Sequence, residues 1–263
     1  MSISTILLSL CRDAAHAILE VYGQTGNDQV ESKSDNTPLT LADRRSHAII
    51  VQGLREHFPD IPVISEEGDI PEYETRSTWE RCWLVDPLDG TKEFIKRSGE
   101  FTINIALVEK GVPVEGVVYV PVSGQAFFTR DGRAWMLEGG DLSDARHVSV
   151  RDADPENLVM AGSRDHVGPG LQKVLDKHPR LQLKSMGSSL KFCLLAQGQA
   201  DLYYRDLPTM EWDTAAAQAV LEAAGGKVFN ENGQPLLYNK ENLKNPGFMA
   251  IGDQSLKWKK LLA

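Results

Sequence analysis

The chain has 263 residues, of which 41% are hydrophobic and 25% are charged. These proportions are typical of a folded globular protein, so disordered, collagen-like and low-complexity chains are excluded. The formal net charge of −9 argues against a protein that binds polymeric nucleic acid or an anionic membrane through bulk charge. It leaves room for a small anionic ligand, because a bound cation reverses the local charge.

No apolar stretch reaches the roughly 18 residues that a membrane-spanning helix needs. The N-terminus has helical spacing and no leading Lys or Arg, so we expect an amphipathic helix rather than a signal peptide. The three cysteines, Cys11, Cys82 and Cys193, are scattered, which predicts free thiols in a reducing compartment. We therefore expect a cytoplasmic protein. Loose attachment to the inner face of a membrane stays open, as does the oligomeric state.

Two helices are predicted at the start of the chain. Apolar residues recur at helical spacing from Ile3 to about Gly23. A polar stretch over residues 24–37 predicts a loop. Thr40 then reads as the N-cap of a second helix, with Asp43 three residues later completing a capping box. Pro59 ends this segment.

The middle of the chain predicts an antiparallel sheet over residues 80–140. The segments 101–109 and 112–120 flank Lys110-Gly111 and read as one hairpin. The segments 125–129 and 134–137 flank Asp131-Gly132 and read as another. Two shorter apolar runs before them, at residues 61–64 and 81–85, each end in acidic residues.

The remainder alternates strands and helices. We predict helices over 170–177, 188–197 and 212–224, followed by a last helix at the C-terminus. Strands are predicted at 158–161, 181–184, 200–205, 227–229 and 248–252. This organisation indicates a layered α/β protein with an N-terminal lobe of residues 1–140 and a C-terminal α/β lobe of residues 141–263.

Three acidic clusters stand where strands give way to turns or helices, at residues 65–69, 85–91 and 211–216. Each cluster alone has an ordinary explanation. The first fits a solvated loop, the second a turn built on Asp-Pro and Asp-Gly, and the third an acidic first helical turn. If the three converge, Glu66, Asp86, Asp89 and Asp213 place about four negative charges in one pocket, which is destabilising without cations. Carboxylate and carbonyl oxygens are ligands for Mg²⁺, and Asp86 could bridge two ions.

The residues after Asp89 fit an anion. Gly90 and Thr91 open a short helical segment, Lys92–Lys96, whose free backbone N–H groups suit a phosphate. The Thr91 hydroxyl is placed to orient a water molecule if a carboxylate supports it. The sequence shows no Ser-His or Cys-His nucleophile motif, so direct attack by water is the simplest mechanism.

The ordered pattern D…EE…DPLDGT…WDTAA, spanning residues 35 to 225, resembles the lithium-sensitive, magnesium-dependent phosphatase superfamily, which includes inositol monophosphatase and fructose-1,6-bisphosphatase. The resemblance implies an αβαβα sandwich and two or more Mg²⁺ ions. Glu66 and Asp86, with the Leu88 carbonyl, would bind the first ion. Asp86, Asp89 and Asp213 would bind the second, so the first lobe would carry most of the ligands.

The same resemblance implies the catalytic and phosphate-binding roles. Gly90 and Thr91 would hold the phosphate, Asp43 would activate Thr91, and Thr91 with Glu66 would activate the water. The role of Asp43 competes with the capping-box interpretation, and the two are compatible. The predicted contacts of the substrate on this side are Glu66, Leu88, Asp89, Gly90, Thr91 and Asp213.

Within the superfamily, the segments DGTKEF, GSSLKF and YYR are similar to those of bacterial 3′(2′),5′-bisphosphate nucleotidases. This implies a phosphorylated nucleotide as the small-molecule partner, namely adenosine 3′,5′-bisphosphate cleaved to AMP and phosphate, with 3′-phosphoadenylyl sulfate as a further substrate, in sulfate assimilation. It also implies inhibition by Li⁺.

A second phosphate would lie beyond the metals, where Ser188, Ser189 and Lys191 at a helix start could bind it. Tyr204 and Arg205 are weaker candidates. The alternative interpretation of the three residues is an exposed capped helix with a surface lysine.

Two other functions remain open at this point. One is an inositol monophosphatase or another sugar phosphatase. The other is a non-catalytic module that binds metal or nucleotide, although such a module would not need Thr91.

Overall fold

The structure is a computed structural model that describes residues 1–24, 38–162 and 168–258. Its α-helices in chain order are α1 (Ile3–Gln24), α2 (Pro38–His57), α3 (Tyr73–Arg76), α4 (Thr91–Ile95), α5 (Pro169–Lys177), α6 (Leu190–Ala196) and α7 (Ala215–Ala223). A 3-10 turn covers Leu142–Asp144. The strands are β1 (Val63–Ser65), β2 (Arg81–Asp89), β3 (Thr102–Glu109), β4 (Val112–Tyr119), β5 (Gln125–Arg130), β6 (Arg133–Glu138), β7 (Arg146–His147), β8 (Val159–Gly162), β9 (Gln182–Ser185), β10 (Leu202–Arg205), β11 (Thr209–Met210), β12 (Lys227–Asn230), β13 (Lys244–Asn245) and β14 (Phe248–Ile251).

A seven-stranded sheet follows chain order from β1 to β7. β1 runs parallel to β2, and each later neighbour is antiparallel. The two predicted hairpins are confirmed. Lys110 and Gly111 have φ values of 48° and 80°, the left-handed conformation that a tight two-residue hairpin turn requires.

A five-stranded sheet has the order β12-β14-β10-β8-β9, and its β8, β9 and β10 are parallel. β14 is antiparallel to both of its neighbours. The short strands β11 and β13 pair separately. The predicted strand–helix alternation of the C-terminal half is thus confirmed.

The layers follow from the alternation of side chains along the strands. On β2, Trp83 and Val85 face a core shared with α1 and α2. Cys82 and Leu84 face a second core, which contains α6 and α7 together with residues of the five-stranded sheet. The other face of that sheet packs against α5. The layer order is therefore helix, sheet, helix, sheet, helix, which confirms the predicted αβαβα sandwich.

The close packing of α7 on the seven-stranded sheet depends on one glycine. A Cβ atom added to Gly116 of β4 would lie 2.3 Å from the backbone oxygen of Ala216. Because such an approach is sterically forbidden, any larger residue at this position would push α7 away from β4. The glycine therefore sets the height of the helix above the sheet.

Three helix starts differ from the predictions. α2 begins at Pro38, so Thr40 lies inside the helix, and the predicted N-cap and capping box with Asp43 are wrong. Proline suits the first helical turn, where its missing N–H has no partner to lose. α6 begins at Leu190 and α7 at Ala215, each later than predicted, because Ser188, Ser189 and Asp213 use their polar groups outside the helices.

Two predicted segments lie partly outside the described residues. The loop predicted over residues 24–37 lies outside the described residues except for Gln24, where α1 ends. Residues 253–258 form turns, and the rest of the predicted last helix is outside the description. The division into two lobes stays a prediction. Among the described helices, none combines the length and the apolar character needed to cross a membrane.

Candidate metal and phosphate site

The acidic cluster on β2 is presented by an irregular strand end. The pairing of β2 with β3 shifts register between Asp86 and Asp89, which turns the strand locally. Asp86 is only 1% exposed, and one of its carboxylate oxygens accepts a hydrogen bond from the Leu88 N–H at 3.1 Å. The shift leaves Asp86 and Asp89 both lining the same cavity.

Glu66 reaches this cavity from the neighbouring strand. Ser65 pairs with Val85 in the parallel β1–β2 register, and the Glu66 N–H donates to the Val85 carbonyl at 3.1 Å. Because parallel strands end at the same edge of a sheet, Glu66 emerges beside Asp86. Glu66 is exposed, whereas Asp86 is buried.

Asp213 comes from the other half of the chain. It precedes α7, and one of its carboxylate oxygens accepts the Met210 N–H at 2.8 Å. One oxygen each from Glu66, Asp86 and Asp213 lie within 4.8 Å of one another. The structure therefore brings the three acidic clusters of the sequence to one place.

The electrostatics of the cluster match a cation site. Burial raises the pKa of Asp86 well above its usual range, and the charges of Glu66, Asp89, Asp213 and Asp43 raise it further. Burial and the neighbouring Asp89 raise the pKa of Asp213 to about 8. Several carboxylates forced together in this way are stabilised by divalent cations, and their hard oxygen atoms are the ligands that Mg²⁺ prefers. The donor set thus fits Mg²⁺.

Gly90 and Thr91 follow directly and also line the cavity. Gly90 is the N-cap of α4 and has a φ of 105°. A Cβ at this position would lie 3.2 Å from the Phe101 Cα, so both conformation and space call for glycine. The predicted short helix after Asp89 is confirmed as α4.

Asp43 lies on α2 beneath the acidic cluster. It is 3% exposed and close enough to raise the Asp86 pKa by its charge. Its predicted action on Thr91 stays a prediction. Two further polar residues on the same face of α2 were not singled out in the sequence. The Ser46 hydroxyl donates to the Pro87 carbonyl at 2.8 Å, and His47 Nδ1 shares a hydrogen bond with the Ser65 hydroxyl at 2.8 Å. Both residues could have been found from the sequence, because residues three and four positions after Asp43 lie on the same face of a helix.

The same cavity is also lined by basic groups. Lys191, Tyr203 and Arg205 line it together with Ser188 and Ser189. Lys191 is only 5% exposed, and its ammonium group donates to the carbonyls of Ser188 at 2.5 Å and Met186 at 3.3 Å. Burial lowers the Lys191 pKa to about 8. The alternative interpretation, a surface lysine on an exposed helix, is therefore wrong, while phosphate binding by these residues stays a prediction.

Glu211, part of the third acidic cluster, faces away from the cavity. It is fully buried, pairs with the Lys240 ammonium at 2.5 Å and accepts the Asn239 N–H at 2.5 Å. Asn239 in turn accepts a hydrogen bond from Arg76 on α3 at 2.8 Å. This buried chain of polar contacts anchors the segment that precedes Asp213.

The chain is similar in sequence to known proteins along most of its length. A model of the inositol monophosphatase family matches residues 2–255. The 3′(2′),5′-bisphosphate nucleotidase CysQ of Escherichia coli O6:H1 is 51% identical over 240 residues, covering 91% of this chain and 95% of that protein. The protein of the same name from Buchnera aphidicola is 42% identical over 247 residues, covering 93% and 91%.

Solved structures of similar proteins have the same fold as this chain. The crystal structure of CysQ from Bacteroides thetaiotaomicron aligns with a TM-score of 0.85 at 40% identity, covering 94% of this chain and 96% of that one. An inositol monophosphatase from Zymomonas mobilis aligns with a TM-score of 0.76 at 24% identity, covering 98% and 95%, and shows the shared fold. The resemblance seen in the sequence is confirmed. The chain belongs to the inositol monophosphatase family.

Proposed function

We propose that the chain is a magnesium-dependent 3′(2′),5′-bisphosphate nucleotidase, which hydrolyses the 3′-phosphate of adenosine 3′,5′-bisphosphate to AMP and inorganic phosphate and serves sulfate assimilation. The observation that carries the proposal is one cavity lined by two chemically different groups of residues. The clustered carboxylates with Gly90-Thr91 are called here the acidic end, and Lys191 with Arg205 the basic end. A ligand with two separate phosphates matches both groups, and 3′-phosphoadenylyl sulfate has the same arrangement.

The acidic end would hold two Mg²⁺ ions. Glu66, Asp86 and the Leu88 carbonyl are the proposed ligands of the first, and Asp86, Asp89 and Asp213 those of the second. When bound, the ions would neutralise the ester oxygens and make the phosphorus more electrophilic. The convergence of Glu66, Asp86 and Asp213 within 4.8 Å supports this assignment.

The protein groups at this end would orient the reactants. Gly90 and Thr91 would hold the phosphate, and Thr91 with Glu66 would take the proton from the attacking water. Asp43, buried below them, would accept a hydrogen bond from the Thr91 hydroxyl. The water oxygen forms a new bond to phosphorus, the bond from phosphorus to the 3′-oxygen breaks, and that oxygen gains a proton.

The basic end would bind the second phosphate. Lys191 and Arg205 would supply positive charge, and Ser188 and Ser189, which line the same cavity, would be the other contacts of this phosphate. A cationic form of Lys191 exists below its pKa of about 8, so the charge is present at neutral pH. A substrate with only one phosphate would leave this end unused, which is the physical basis for preferring a bisphosphate.

The cytoplasmic location is part of the proposal. It rests on the three cysteines, which are all buried and unpaired in the structure, as expected of a protein made in a reducing compartment.

The proposal is tested by steady-state phosphate release from adenosine 3′,5′-bisphosphate, 3′-phosphoadenylyl sulfate and inositol 1-phosphate, with Mg²⁺ titrated in each case. We expect the highest kcat/KM for adenosine 3′,5′-bisphosphate, dependence on Mg²⁺ and inhibition by Li⁺. Faster release from inositol 1-phosphate would instead identify a sugar phosphatase. Nucleotide binding without phosphate release would identify a non-catalytic module.

A further inference from the structure

Strand β3 carries two polar side chains where an apolar pair would be expected. The strand is buried along nearly its full length, and Ile103, Ile105 and Leu107 fill one core. Thr102 is 0% exposed and Asn104 is 1% exposed, both on the opposite face from those residues. Buried polar groups of this kind are costly unless fully hydrogen-bonded.

The partners of these two side chains lie in the other half of the chain. The Thr102 hydroxyl is 2.5 Å from the Ser188 hydroxyl and 3.0 Å from that of Ser189. The Ser189 hydroxyl donates to the Asn104 side-chain oxygen at 2.7 Å, and Thr102 donates to the same oxygen at 3.3 Å. The four side chains, of which Ser188 is half-buried and the others are buried, form one cluster, called here the β3–α6 polar cluster.

The cluster ends on Asp89. One carboxylate oxygen of Asp89 accepts the Ser189 N–H at 2.9 Å and the Asn104 amide at 3.5 Å, and it also accepts the Ser188 hydroxyl. Ser188 has a φ of 52°, a left-handed conformation that is unfavourable for serine. This conformation brings its side chain and the next N–H to the same oxygen. Several donors on one oxygen fix the rotation of the carboxylate.

The register of the sheet explains why these positions were used. Thr102 is the partner of Asp89, and Asn104 is the partner of Asp86, across the β2–β3 pair. β2 is irregular between Asp86 and Asp89, so the regular pairing with β3 is interrupted there. Thr102 and Asn104 lie on β3 opposite this interruption. The cluster therefore lies directly behind the acidic end of the cavity.

We infer that Thr102 and Asn104 are positioning residues for Asp89. Asn104 acts directly on one oxygen of Asp89, together with Ser188 and Ser189, and Thr102 acts through the two serine hydroxyls, which leaves the other oxygen to bind a cation. The same contacts attach the start of α6, and with it Lys191, to the acidic end. The inference rests on the proposed function in one respect, namely that Asp89 binds Mg²⁺. Residues that orient a metal ligand in this way commonly change metal affinity by about 10- to 100-fold when removed.

The test uses Thr102→Val, which removes the hydroxyl and keeps the branched shape. Calorimetric titration with Mg²⁺ alone should show affinity weakened by about 10-fold. In activity assays, the Mg²⁺ concentration for half-maximal rate should rise by a similar factor. Thr102→Ser, which restores a hydroxyl, should recover most of the affinity.

A matched control separates orientation from general weakening of the sheet. Thr129 of β5 is equally buried, and its hydroxyl contacts Glu115 and the Gly116 N–H, away from the cavity. Thr129→Val keeps the branched shape beside Gly116 and adds no atom towards α7, so it should lower the melting temperature without changing Mg²⁺ affinity. If Thr102→Val does not fold, Ser189→Ala carries the test, because it removes one hydroxyl of the cluster and leaves the N–H bond to Asp89.

The outcomes are distinct. Equal Mg²⁺ affinity for wild type, Thr102→Val and Ser189→Ala would overturn the inference and leave the proposed function standing. Equal losses in Thr102→Val and Thr129→Val would show a purely structural role and overturn it too. A wild-type protein that binds no Mg²⁺ would overturn the metal assignment itself, and the inference with it.

Discussion

Asp86 is the residue on which the acidic end depends most. It is nearly fully buried among four other carboxyl groups, and each of them raises its pKa after the effect of burial itself. A residue in this position is unfavourable for the folded state when no cation is present. It is therefore maintained at a cost to stability, as catalytic groups often are.

We predict that Asp86→Asn lowers phosphate release by at least about 100-fold, because an amide cannot supply the charge that holds the cations. Without Mg²⁺, the same change should raise the melting temperature by about 2 °C or more, equivalent to about 1 kcal/mol in a protein of this size. Scanning calorimetry and phosphate assays measure both effects. Asp176→Asn, exposed on α5, is the control, and near-normal activity of Asp86→Asn would contradict the metal assignment.

The raised pKa of Asp213 predicts a dependence of stability on pH. The folded protein holds this proton up to about pH 8, whereas the ordinary pKa is 3.8. The folded state thus binds more protons than the unfolded state between these values, so the free energy of unfolding falls as pH rises through this range. We expect metal-free wild type to lose more than about 1.4 kcal/mol relative to Asp213→Asn, the equivalent of one pKa unit.

Denaturant titrations from pH 4 to pH 8 measure this loss. Mg²⁺ should reduce the decline in wild type, because bound cations favour the ionised carboxylates. A wild-type slope identical to that of Asp213→Asn would contradict the prediction. In that case the Asp213 proton would leave at the same pH in the folded and unfolded chains.

At the level of elements, the packing distance between α7 and β4 affects the site, because α7 follows Asp213 closely in the chain. α7 starts two residues after Asp213, and Gly116 lets the helix approach the sheet. We predict that Gly116→Ala destabilises the protein by about 1–3 kcal/mol, the usual cost of overpacking. It should also weaken Mg²⁺ binding, because displacement of α7 moves Asp213.

Gly23→Ala is the matched control for that substitution. Gly23 lies in α1, and nothing is within 4 Å of an added Cβ. Because alanine is the better helix former, this change should stabilise the protein by about 0.5–1 kcal/mol. Chemical denaturation of the two variants gives the comparison. Equal stabilities of Gly116→Ala and Gly23→Ala would contradict the packing argument.

The secondary-structure elements also show which local features can be predicted from the sequence. Hairpins such as that around Lys110-Gly111 were predictable, because two-residue turns have strong local signals. The start of α2 was misplaced because Thr40 is a good N-cap by type, yet the helix had already begun at Pro38. A local signal fails when a neighbouring residue offers an equally good start.

The site could be predicted only in part for a related reason. Glu66, Asp86 and Asp213 were recognisable because their three clusters form one ordered pattern, although each cluster alone has an ordinary explanation. Thr102 and Asn104 carry no motif, and in the sequence they are ordinary residues of a strand. Their role depends on contacts with Ser188 and Ser189, which are distant in the chain. Such pairings are visible only once the two halves are folded together.

At the scale of the whole molecule, the acidic cluster couples Mg²⁺ to folding. Glu66, Asp86 and Asp213 meet only in the folded chain, so Mg²⁺ should bind the folded state in preference to the unfolded state. At 100 times its dissociation constant, Mg²⁺ should add about 2.7 kcal/mol of stability. Melting curves with Mg²⁺ and with a chelator measure this. Asp86→Asn should show a much smaller difference, and an equal difference would place the stabilising ion elsewhere.

The distance in the chain between Glu66 and Asp213 has a consequence for biosynthesis. α7, which follows Asp213, lies between the two sheets and packs on strands that the ribosome produced much earlier. A nascent chain that has released the first sheet but not this helix exposes Glu66 and Asp86 without their third partner. The proposed second cation site, which needs Asp213, is therefore completed only late in translation, after the ligands of the first site have been made.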